Sequence, residues 1–75
     1  MGDPVTRSRP HLGRVTTYDV ERGLGTVTSD EGREFSFHAV AIADGSRQID
    51  AGTRVAFVIA AGLGGRLEAR GLVPT

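Results

Sequence analysis

A chain of 75 residues makes one small domain that buries roughly 60% of the surface its unfolded form exposes, so its core is thin. It contains no cysteine, which excludes disulfide staples, thiol catalysis and thiolate metal sites. Nine arginines balance nine acidic residues, with no lysine and a net charge of zero, so the broad positive field of a strong polyanion binder is missing.

Residues 1–11 hold Pro4, Pro10, Arg7 and Arg9 without periodicity and read as a flexible tail. They contain no apolar run of the kind a secretory leader needs. The longest apolar stretch, Val55 to Ala61, falls far short of the roughly 20 residues that span a bilayer. The expectation is a cytoplasmic protein that engages no membrane.

From Leu12 onward the chain reads as short strands separated by turns. The first segment, Leu12 to Tyr18, centres on Val15 and ends in β-favouring Thr16, Thr17 and Tyr18. Asp19-Val20-Glu21-Arg22-Gly23 is a polar turn closed by glycine. A second segment runs from Leu24 to Ser29, and Asp30-Glu31-Gly32 joins it to the third as an acidic-glycine hairpin turn. In Glu34 to His38, Phe35 and Phe37 alternate with Ser36 and His38, the pattern of a half-buried strand.

Ala39 to Ala43 is too short for more than a single helical turn. The loop over residues 44–52 carries Asp44-Gly45-Ser46-Arg47 and Asp50-Ala51-Gly52, with Ile49 turned inward. Arg54 to Ala61 places Val55, Phe57 and Ile59 on one side, Gly62 to Gly65 makes a hairpin loop, and a last segment runs from Leu67 to Val73. Five short strands with glycine-bearing turns and no long helix imply an all-β, five-stranded antiparallel barrel. The expected core is Val15, Val27, Phe35, Phe37, Ile42, Ile49, Val55, Phe57, Ile59 and Leu72.

Three stretches carry a family resemblance. Gly13-Arg14-Val15-Thr16-Thr17-Tyr18-Asp19, Glu21-Arg22-Gly23-Leu24-Gly25-Thr26-Val27 and Phe35-Ser36-Phe37-His38-Ala39-Val40-Ala41-Ile42 together resemble the bacterial cold-shock domain. That family reads G-x-V-K-W-F-N, E-K-G-F-G-F-I and V-F-V-H-F-S-A-I in the same order. The resemblance covers about residues 12–74 and implies an OB-fold barrel over residues 12–75 that binds single-stranded RNA or DNA. In that family, aromatic side chains on the outer faces of strands one to three stack on successive bases beside basic residues.

Carried over position by position, most of those rings are replaced. Thr17 stands for the tryptophan; Leu24, Thr26, Ser36 and Ala39 stand for phenylalanines; Ser46 replaces the loop phenylalanine and Thr16 a lysine. Tyr18 and His38 keep ring character and Arg22 keeps the cation. The resemblance therefore implies residual stacking by Tyr18 and His38 on one sheet exterior that also holds Leu24, Thr26 and Ser36. Arg14, Arg22 and Arg33 would meet phosphates. Each lost stacking contact is worth about 1–3 kcal/mol, and a micromolar complex has only about 8 kcal/mol in all, so binding is expected to be weak and of low sequence specificity.

No catalytic constellation is present. His11 and His38, the only histidines, fall in different segments without cysteines, so neither a metal site nor a cofactor is expected. Gly23-Leu24-Gly25 is a turn entering a strand rather than a phosphate loop, since no longer glycine motif or helix follows. The reading is a non-enzymatic, monomeric RNA chaperone or transcription and translation accessory. The alternative is a barrel that has exchanged nucleic acid for a protein partner.

Overall fold

The computed structural model describes residues 10–75, and the tail expected over residues 1–11 lies outside them except for Pro10 and His11. Five strands form: β1 (His11–Asp19), β2 (Leu24–Ser29), β3 (Glu34–His38), β4 (Arg54–Ala61) and β5 (Leu67–Pro74). Short 3-10 turns lie at Ala39–Ala41 and Leu63–Gly65. Among the described residues no helix is long and apolar enough to cross a membrane. His11 belongs to β1, with its ring 5.8 Å from that of Phe57, so the first strand starts one residue earlier than its apolar pattern suggests.

The strands close into a barrel in the order β1-β2-β3-β5-β4, with β4 returning to β1. This is an OB-type arrangement. The expected five-stranded OB-type barrel is present, antiparallel at four of its five junctions and parallel at one. Directions around a ring of five cannot alternate at every step, so at least one neighbouring pair must run the same way. That pair is β3 and β5, joined where Ser36 meets Glu68 and extended by a parallel bridge between Ile42 and Leu72.

Period-two alternation fills the interior. Val15, Val27, Phe35, Phe37, Ile42, Val55, Phe57 and Leu72 are buried, joined by Ala39 and Ala69. Ile49 and Ile59 pack against this cluster while only partly buried. Ala39 is a correction to the expected outer face: it sits in the core, and its N–H donates to the Gly23 carbonyl at 2.8 Å.

A β-bulge changes which residues of β1 face outward. Val15 pairs with Val27 and Thr17 with Thr26, leaving Thr16 as the extra residue. Thr16 and Thr17 therefore both point to solvent, and Tyr18 turns inward. Tyr18, Gly25 and Phe37 then form one row across three strands. The Tyr18 and Phe37 rings stack over the glycine, 5.7 Å apart and 5° from parallel, a favourable aromatic spacing.

Gly25 is required at the centre of this row. A Cβ there would lie 2.6 Å from both Phe37 Cζ and the Thr17 carbonyl oxygen, and neither the buried ring nor the backbone has room to yield. Gly25→Ala is expected to cost about 2 kcal/mol through overpacking, read as a lowered urea midpoint with an unchanged m-value.

Candidate functional site

The outer surface of β1, β2 and β3 is arranged in rows set by strand register. Arg14, Thr28 and Glu34 form one row. Thr17, Thr26 and Ser36 form the next, which continues to Glu68 across the parallel junction. Asp19, Leu24 and His38 form the third. The middle of this surface is a mat of hydroxyls. Thr26 Oγ1 shares hydrogen bonds with Thr16 Oγ1 at 2.8 Å and Thr17 Oγ1 at 2.7 Å, and Thr28 Oγ1 donates to Thr16 Oγ1 at 3.5 Å.

At the His38 end the surface sinks into a cleft of about 610 Å³, lined by Leu24, Thr26, Ser36, His38, Arg22 and Arg66 together with Glu68 and Asp19. The turn before β2 holds Arg22 at its rim. Asp19 Oδ1 accepts the N–H groups of Glu21 at 3.0 Å and Arg22 at 3.2 Å, and Gly23 completes the turn with φ +66°. Arg22 also pairs loosely with Asp19, Nε to Oδ2 being 3.8 Å.

On the far wall, His38 Nε2 lies 3.8 Å from Glu68 Oε2, an ion pair when the imidazole is protonated. The opposite carboxylate oxygen, Oε1, lies 3.6 Å from Arg70 Nη2. His38 remains well exposed at 57%, whereas Glu68 is only 17% exposed. A second hollow of about 440 Å³, lined by Val40, Ala41, Ala69, Arg70 and Gly71, lies on the other side of the same His38–Glu68 wall.

Of the residues singled out from the sequence, Arg22, Leu24, Thr26, Ser36 and His38 converge on the cleft. Arg14 shares the face but lies at its opposite end, in a shallow hollow with Thr16, Thr28, Asp30 and Arg54. There Arg54 donates to both oxygens of Asp30 at 2.9 and 3.2 Å, a bond that raises the arginine's pKa above its ordinary value. Arg14 makes no ion pair among the described residues.

Tyr18 and Arg33 do not join the site. The bulge turns Tyr18 to one end of the barrel, where it packs on the core and its hydroxyl donates to the Arg47 carbonyl at 2.6 Å. The loop that receives it is internally braced. Asp44 Oδ1 accepts the Ser46 N–H at 2.8 Å, a hydrogen bond that is the leading cause of a carboxyl pKa below its ordinary value. Arg33 lies at the other end, its guanidinium carbon 5.5 Å from the centre of the Phe35 ring.

Glu68, Arg66 and Arg70 were not anticipated from the sequence. Period-two spacing places Glu68 and Arg70 on one face of β5, with Arg66 just before it, but only the β3–β5 junction reveals which neighbours that face meets. Compared with known proteins, the chain matches no family model and no curated protein.

The Tyr18 ring thus stacks on Phe37 and its hydroxyl is bonded to the loop. Tyr18→Phe removes one hydrogen bond and is expected to lower stability by about 1 kcal/mol. Thermal melts combined with oligonucleotide titration check this: the melting temperature falls and any affinity for the oligomer changes by less than about twofold.

Proposed function

We propose that this protein is a divergent barrel of the cold-shock type that binds single-stranded RNA or DNA weakly and with low overall sequence specificity. The observation that carries this reading is the cleft at the His38 end. There an apolar leucine, an exposed imidazole and two arginines converge on the outer face of an OB-type barrel. An unstacked base needs a flat or apolar contact and its phosphates need cations. Leu24 and His38 supply the first, and Arg22 and Arg66 the second.

The threonine mat extends the path toward Arg14 with hydroxyls that contact sugar and phosphate without distinguishing bases. A duplex offers no splayed base to such a cleft, so a single strand is the favoured form. With one ring instead of a row of them, the affinity falls in the range of about 0.1–1 mM, equivalent to about 4–5.5 kcal/mol.

A second reading has one specific observation behind it. The hydroxyls of Thr16, Thr17 and Thr26 satisfy one another, so the mat is a preformed polar surface also suited to a protein partner.

Titration of the protein with a short oligothymidine, followed by amide shifts, separates the two readings. Saturable shifts at Leu24, Ser36 and His38 are expected. With two phosphates neutralised, binding should weaken about sevenfold between 50 and 200 mM salt, from a slope of about −1.4. His38→Ala is expected to weaken binding about fivefold, the low end of a stacking contact. Thr17→Trp should strengthen it by a similar factor. Silence at millimolar oligomer would sink the nucleic-acid reading and leave the protein-partner one.

A further inference from the structure

The Glu68 carboxylate is out of place in a site for a polyanion. It faces the cleft from the β5 side, next to Ser36 in register and 3.8 Å from His38. It is only 17% exposed, yet among the described residues no group approaches its oxygens within hydrogen-bonding distance. Arg70 and His38 stand off at 3.6 and 3.8 Å. The carboxyl group sits over Gly62, in the space that a Cβ there would occupy. A half-buried carboxylate with unfilled acceptor sites is a strong recognition element for paired N–H donors.

We infer that the cleft selects guanine: the Glu68 carboxylate, set between Ser36 and His38, accepts the N1–H and N2–H of an unstacked guanine held against Leu24 and His38. This rests on the nucleic-acid reading above and names the base that the site prefers. An ionised carboxylate offers two acceptors side by side and no donor. Guanine alone among the common bases presents two adjacent N–H donors on its Watson–Crick edge.

Uracil and thymine present one N–H flanked by two carbonyls, which would face the carboxylate with like partial charge. Adenine and cytosine present an amine beside a ring nitrogen whose lone pair meets the second oxygen. A site built around hydrogen bonds rejects the base that leaves them unmade. Arg66 and the Ser36 hydroxyl, which line the same cleft, are the donors available to the guanine O6. Recognition is confined to this one position, so the remainder of a bound strand is read by backbone contacts alone.

Pentanucleotides with four thymidines and a variable central base test this on the wild-type protein by amide-shift titration. The guanine pentamer should bind about tenfold more tightly than the all-thymidine one, the discrimination of a good bidentate pair. Replacing guanine by inosine, which keeps N1–H and lacks the N2 amine, should forfeit about threefold or more of that gain. Glu68→Gln should bring the guanine and thymidine pentamers to within about twofold of each other. Equal binding of the two pentamers by the wild-type protein overturns the guanine assignment and leaves weak single-strand binding standing. Inosine performing as well as guanine, or a preference that survives Glu68→Gln, overturns it equally. If no pentamer binds, both readings fall together. The inosine comparison alters no residue, so it decides the matter even if the Gln variant folds poorly.

Discussion

The barrel closes through a parallel contact between Ser36 and Glu68, and the placement of the groups around His38 follows from that closure. A ring of five strands must contain a same-direction pair, and β3 with β5 is where this chain accommodates it. Parallel pairing is slightly weaker per residue than antiparallel pairing, and the contact is correspondingly short. Its effect on the surface is large, however. It sets the outward face of β5, with Glu68 and Arg70, against the outward face of β3, with Ser36 and His38. Neither strand alone holds a site; their junction makes the wall that separates the two clefts.

A second constraint works from inside. Gly25 leaves space for the stacked Tyr18 and Phe37 rings, and the extra residue in β1 is what aims Tyr18 at that space. The same bulge turns Thr16 and Thr17 outward together and so completes the hydroxyl mat with Thr26 and Thr28. One inserted residue therefore removes an aromatic ring from the outer face and adds a threonine to it. Core packing and surface chemistry are coupled here through a single change of side-chain direction.

The surface that results differs from a row of stacking platforms. Its centre is polar and self-satisfied, its cations stand near acids, and its one exposed ring sits beside a carboxylate. Such a face gains little from generic stacking or from a long-range field. Any selectivity must come from hydrogen bonds inside the cleft, where an acceptor set against the Glu68 carboxylate is costly because that group is largely withdrawn from water.

The alternation of Phe35 and Phe37 with Ser36 and His38, the turn residues at Gly23 and Gly32, and the short spacing of the apolar segments were enough to read five strands and most of the core from the sequence. These are local signals, since side-chain direction along a strand repeats every two residues. The outer placement of Leu24, Thr26, Ser36 and His38 followed from the same rule. Tyr18 escaped it because a bulge breaks the period without any special residue to announce it, and Arg33 because a turn residue's direction depends on the turn's backbone. The parallel closure, the approach of Glu68 to His38 and the seating of its carboxyl over Gly62 lay beyond the sequence. The first two depend on which strand edges meet across about thirty intervening residues and the third on how the β4–β5 hairpin folds back, choices made by global packing and by the parity of the barrel rather than by local preference.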